Sequence, residues 1–161
     1  MVKTKKIKIN WLLLIACVIG CVMFGSIGSL FTAPNIPTWY RGLVKPPLNP
    51  PNWIFAPVWT LLFCLMGIAF YLILTTKNKH RNQAILIFVV QFIFNILWSL
   101  LFFGLQSPLY GLICIYLLWI LIYINILIFM RINKNAGMLL IPYLVWVSFA
   151  SYLNFSIYLL N

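Results

Sequence analysis

The sequence predicts an all-α polytopic membrane protein, a bundle of five transmembrane helices forming one domain over residues 1–161. Three observations predict it. Of the 161 residues, 65% are hydrophobic and the mean hydropathy is +1.07, far beyond a soluble domain of this length. The apolar residues fall in continuous runs of about 20 or more, the length a helix needs to cross a bilayer, and not in the alternating segments of about ten that a β-barrel uses. Asp and Glu are wholly absent, and the basic residues gather between the runs.

Lys3, Lys5, Lys6 and Lys8 precede the first apolar run, which covers about 9–31 and exceeds the ~7–15 residues of a signal-peptide core. Within it Cys21, Gly25 and Ser29 recur at every fourth position with Gly28 beside them, a pattern that lets a neighbouring helix approach closely. A loop of about 32–52 follows. The stretch from Trp39 to Trp59 holds Pro46, Pro47, Pro50, Pro51 and Pro57 and three of the seven tryptophans. Proline fixes φ, lacks an N–H and pushes its predecessor towards extended geometry, so Lys45–Pro51 is predicted to be stiff and non-helical. We read it as a lid carrying Trp39, Arg41, Lys45, Pro46, Pro50, Pro51 and Trp53. Asn52 is the expected cap of the second span (53–74), with Pro57 in its first turn, where a missing N–H costs little. The third span is predicted over 84–103, the fourth over 109–130 and the fifth over 137–160, with Pro142 early in the last.

Nine of the eleven Lys and Arg residues fall at the N-terminus and in the second and fourth connections, which five spans place on one side; Arg41 and Lys45 stand opposite. The positive-inside rule then sets the N-terminus in the cytoplasm and the lid outside. The short N-terminus and the lack of a C-terminal extension suggest a bacterial-type protein, so a multi-pass protein of a bacterial cytoplasmic membrane is expected. The basic side is expected to hold anionic lipid headgroups, while side chains pinned at a bilayer are not expected to bind nucleic acid.

The same composition excludes chemistry. Without carboxylates, and with His80 as the single imidazole, the chain lacks the usual means for acid–base catalysis, carboxylate-coupled ion transport or a metal centre. Cys17, Cys21, Cys64 and Cys114 lie inside apolar runs with no zinc-type spacing. No metal and no required cofactor are expected. What remains is aromatic rings, amides, hydroxyls and thiols.

Polar groups in the hydrocarbon zone are costly and therefore informative. In the third span Gln91, Asn95, Trp98 and Phe102 fall along one helical stripe, which should face the bundle interior. The fifth span sets Tyr143, Trp146, Ala150, Leu153 and Asn154 near one face, and the second offers Trp59, Phe63, Met66 and Phe70. Asn and Gln also serve as interhelical ties, and Trp11, Trp39 and Trp53 suit interfacial anchors. Together the stripes predict an aromatic, amide-lined pocket beneath the lid, suited to a flat apolar ligand with a few polar edges.

Beyond this physical reading, the residues resemble the TspO/MBR family, the tryptophan-rich sensory proteins that include the animal translocator protein or peripheral benzodiazepine receptor. The likeness is carried by Trp39-Tyr40, Leu43, Lys45-Pro46, Pro50-Pro51, Trp53, Pro57-Val58-Trp59, Met66-Gly67 and Tyr71. It continues through Gln91, Asn95 and Trp98, Phe102-Phe103-Gly104, Pro142-Tyr143, Trp146, Phe149-Ala150 and Leu153-Asn154. The resemblance implies a five-helix fold with the first loop over a pocket, and a binding protein for porphyrins such as protoporphyrin IX, forming homodimers in several members. On matching positions it implies a pocket of Tyr40, Trp59, Phe63, Asn95, Trp98, Trp146 and Ala150. Trp59 and Trp146 match two tryptophans implicated in light-dependent porphyrin degradation in some bacterial members, the enzymatic alternative; transport of small apolar molecules such as sterols is the other. Cys114 stands where several members carry an acid, and Tyr110 where tryptophan is common. No basic residue follows Tyr158, so the sterol motif proposed for the family is incomplete.

Overall fold

The computed structural model describes residues 9–161. Lys3, Lys5, Lys6 and Lys8, which carry part of the orientation argument, lie outside the described residues. The described chain is helical apart from short connections and the proline-rich segment. Its elements are α1 (Trp11–Ser26), α2 (Ser29–Asn35), α3 (Phe55–Thr75), α4 (Arg81–Ser99), α5 (Pro108–Ile132), α6 (Lys134–Leu139) and α7 (Ile141–Leu160). Four stretches are each long and apolar enough to cross a membrane: Asn52–Thr75, Arg81–Gly104, Pro108–Ile132 and Lys134–Leu160. The pair Trp11–Ser26 and Ser29–Tyr40, bent by 43°, supplies a fifth when taken as one span.

The N-termini of α1, α5 and α6 are satisfied by short polar side chains, since a free N–H is expensive in an apolar setting. Asn10 Oδ1 accepts from Leu13 N at 3.1 Å, Ser107 Oγ from Tyr110 N at 3.3 Å, and Asn133 Oδ1 from Asn135 N and Ala136 N at 3.1 and 3.3 Å. The backbone N–H of Asn10 donates to Tyr71 Oη at 3.0 Å and so ties the start of α1 to the far end of α3. Asn52, expected to cap the second span, instead opens a 3₁₀ turn (Asn52–Ile54) and makes no capping bond.

Close packing depends on small residues. At Gly67 of α3 an added Cβ would lie 2.6 Å from Val18 Cα and 2.9 Å from Cys17 O, so α1 rests directly on the α3 backbone. Cys21 and Gly25 continue that seam and are buried, with Gly25 against the Phe63 ring. Ser29, the third member of the predicted small-residue series, is exposed, because the helix has turned away by then.

The bend is the main departure from expectation. Between Ser26 and Ser29 the ladder tightens: Ile27 N bonds Phe24 O, Gly28 N bonds Gly25 O and Leu30 N bonds Ile27 O, each at 3.1–3.2 Å and each spanning three residues. Beyond it α2 leans on the end of α4, where a Cβ on Gly28 would meet Ser99 Oγ at 2.9 Å and one on Gly104 would meet Phe31. The region expected to be loop from residue 32 is therefore helical to Gly42, and only the segment 43–51 is irregular. Pro34 lies inside α2, and Pro37 sits near the start of a π turn (Ile36–Tyr40). There its missing N–H is not needed and the wider turn has room for the ring.

A second π turn, Leu100–Gly104, ends α4, with Leu105 N bonding Leu100 O at 2.8 Å. Widening the turn brings the consecutive Phe102 and Phe103 both inward, and both are buried.

Candidate functional site

A cavity of about 390 Å³ lies between the bent α1–α2 pair, the first turns of α3, the end of α4 and the second half of α7. One side of it is aromatic. Trp59 stacks on Phe63 with ring centroids 5.6 Å apart and an interplanar angle of 28°; Trp98 stacks on Phe102 at 5.6 Å and 17°. The two tryptophans are 6.4 Å apart and tilted by only 32°, so four rings approximate one wall. Gly25, Gly28, Ala33, Ala56 and Ala150 also line the cavity and leave the space that larger side chains would fill.

The polar groups here are mostly committed to the fold. Asn95 Nδ2 donates to Tyr143 Oη at 2.9 Å, joining α4 to α7. Asn154 Oδ1 accepts from Trp98 Nε1 at 3.1 Å while its Nδ2 donates to Pro108 O at 2.8 Å, so one amide joins α7, α4 and α5. Thr32, Ser26, Ser29 and Thr60 each donate to the backbone carbonyl three or four residues earlier at 2.6–3.1 Å. Their lone pairs, and Asn95 Oδ1, accept no hydrogen bond among the described residues. The cavity is thus rich in acceptors, and among the described residues none that lines it is charged.

Of the ligand-binding residues predicted from the sequence, Tyr40, Trp59, Phe63, Asn95, Trp98 and Ala150 line the cavity. Gln91, Tyr143 and Trp146 do not. Tyr143 is buried behind Asn95 and meets the Trp59 ring edge-on at 6.1 Å. Trp146 stands behind Phe55, whose ring it meets at 6.0 Å and 67°, and its buried Nε1 has no partner. Gln91 lies one turn deeper than Asn95, fully buried, with neither amide atom bonded among the described residues. Asn125 of α5 is in the same condition and was not singled out by the sequence.

The segment expected to act as a lid is tied down at several points. Tyr40 Oη donates to Asn49 Oδ1 at 2.7 Å. Val44 is held through both its backbone groups by the Asn161 amide, at 3.0 and 3.1 Å. Lys45 Nζ donates to Arg41 O and Leu43 O at 3.2 and 3.1 Å and sits 4.8 Å over the Tyr40 ring. Partial burial lowers the pKa of that ammonium from its ordinary value. Trp39 packs edge-on against Phe102 and Phe103 at 5.4 and 6.4 Å, Pro46 is buried, and Pro50 is partly so. Arg41 and Pro51 are exposed, and Trp53, at 72% exposure, points away from the cavity in the manner of an interfacial anchor.

Lining residues that the sequence did not single out are Ser26, Thr32, Ala33, Ile36, Phe55, Ala56, Thr60, Ser99 and Ile157. Thr32, Ala33 and Ile36 belong to the segment read as loop. The available signal was the Gly25–Gly28 pair ahead of Pro34 and Pro37.

The TspO/MBR family model matches residues 16–160. The chain is 49% identical over 152 residues to the "Tryptophan-rich protein TspO" of Chlorobaculum tepidum, covering 93% of this chain and 96% of the relative. It is 45% identical over 152 residues to the protein of that name in Archaeoglobus fulgidus, covering 94% and 99%. The "Translocator protein" of Bos taurus is 31% identical over 134 residues, covering 81% and 79%. With a family match across nearly its whole length, and a bundle of membrane-length helices to go with it, the chain belongs to the TspO/MBR family of integral membrane proteins.

Proposed function

We propose that this protein binds a flat tetrapyrrole of the protoporphyrin type in the cavity beneath the proline-rich segment, as a sensor or scavenger. The observation that carries this reading is the aromatic wall of Trp59, Phe63, Trp98 and Phe102, which offers a macrocycle an extended face on which to stack. With no charged residue lining the cavity, carboxylate substituents would point to its outer end, where Arg41 is exposed. Lys45, the other cation of the proline-rich segment, is already engaged by backbone carbonyls. Light-dependent oxidation of the porphyrin is less favoured, because of the two tryptophans it would use only Trp59 lines the cavity.

A dark titration of protoporphyrin IX into the detergent-solubilised protein, following indole quenching and the Soret band together, tests this. Saturable binding at about one ligand per chain is expected, weakened roughly five-fold by Trp59→Ala through the loss of about 1 kcal/mol of stacking. Trp146→Phe, behind Phe55, is expected to leave affinity nearly unchanged. Linear quenching that never saturates would reject the site.

The basic end of the bundle supports an orientation within this proposal. Lys77, Lys79, Arg131 and Lys134 are exposed, and the two loops that carry them are joined by Asn133 Nδ2 donating to Thr76 Oγ1 at 3.4 Å. We place this end at the cytoplasmic leaflet of a prokaryotic inner membrane, against anionic headgroups.

A further inference from the structure

We propose that the cavity exchanges its contents with the outer leaflet of the bilayer, sideways, through a slot between α2 and α3, and that a lipid acyl chain occupies it when no flat ligand is bound. This deepens the ligand-binding reading above, but its test needs no porphyrin, so the two can fail separately.

The argument starts from register. Val18 lies against Gly67 and Gly25 against Phe63, so α1 and α3 run antiparallel in close contact as far as Gly25. Continued straight, that register would set Ser29 level with Thr60 and Ala33 level with Ala56 and seal the seam. The 43° bend after Ser26 prevents it, carrying α2 towards Ser99 and the π turn that ends α4. Ser29 and Ala33 on one side, and Ala56 and Thr60 on the other, are consequently both exposed and part of the cavity lining. A residue that meets both conditions stands at a rim. All four side chains are small, and at 1.5 Å per residue Ala56 and Thr60 lie about 6–12 Å along the span that begins at Asn52. That depth is within one leaflet.

The chemistry of the rim fits apolar traffic. Ser29 Oγ donates to Ser26 O at 2.6 Å and Thr60 Oγ1 to Ala56 O at 2.9 Å, so neither presents a free donor to passing hydrocarbon. The alternative path, upward to water, crosses the tied segment: the Tyr40–Asn49 bond, the paired Val44–Asn161 bonds and the Lys45 contacts would all have to break. At the slot nothing has to break.

The test reconstitutes the whole chain in phosphatidylcholine nanodiscs doped with a phosphatidylcholine carrying a diazirine midway along one acyl chain. After irradiation, adducts are mapped by mass spectrometry. Adducts are expected on Phe63, Trp98 or Phe102 inside the cavity as well as on the outward-facing Leu12, Ile15 and Leu61. Filling the rim with Ala56→Phe, or more gently with Thr60→Leu, is expected to reduce the inner adducts to background and leave the outer ones, which also report that the variant has folded. Adducts confined to the outer face of the unmodified protein would overturn the proposal. So would inner adducts that persist undiminished in both folded variants.

Discussion

Gly67→Ala is expected to lower stability by about 1–3 kcal/mol, the range typical of overpacking in a close-packed interior. The three nearest atoms to the added Cβ would be Val18 Cα, Cys17 O and Val18 N at 2.6–2.9 Å, all of them backbone, so no side-chain rotation can relieve the clash. α1 would have to back away from α3 along the seam that ties it to the bundle. In lipid no hydrophobic gain offsets that separation, because the chains that fill the gap are as apolar as the helix. Gly20→Ala, on the same α1, is the internal control. Nothing lies within 4 Å of its Cβ position, so it gains up to about 1 kcal/mol of helix propensity at no steric cost. Thermal unfolding in detergent, followed by size-exclusion monomer loss, should therefore move in opposite directions for the two substitutions. Equal behaviour would mean that the α1–α3 approach is looser than described.

Which features the sequence reveals depends on how local their causes are. Helix class follows from composition and run length, and the inward stripe of α4 from the spacing of Gln91, Asn95, Trp98 and Phe102, all of them buried. Both signals lie within one helix. The bend after Ser26 is not read from the sequence, because no proline marks it and its small residues Gly25, Gly28 and Ser29 read as helix-packing positions; its cause is the seat that Gly28 finds against Ser99, far along the chain. The same limit applies to Trp146. It shares a helical face with Ala150, four residues on, yet Phe55 from another helix stands in front of it, and no periodicity within α7 can report that. The unpartnered amides of Gln91 and Asn125 show the complementary case: polarity was visible, but the absence of a partner was not.

Asn154→Leu should be nearly as damaging as Gly67→Ala, by a different physical route. The substitution keeps the number and branching of side-chain heavy atoms but removes an acceptor from Trp98 Nε1 and a donor from Pro108 O, and with them a side chain that joins α4, α5 and α7 at the cavity. Interhelical hydrogen bonds in membranes average about 0.6 kcal/mol and reach about 1.7. Two bonds together, one of them leaving a buried indole N–H unpaired, put the expected loss at about 2 kcal/mol. The branched side chain adds strain, since Gly111 already sits so close that an added Cβ would be 2.9 Å from Asn154 Oδ1. A double-mutant cycle separates these parts. Trp98→Phe removes the indole donor, so Asn154→Leu in that background should cost less than in the unmodified protein, the difference being the coupling of the pair. If the two costs are equal, the Trp98–Asn154 bond contributes nothing to holding α4 against α7, and the wall position of Trp98 must come from its ring contacts with Phe102, Phe103 and Trp59.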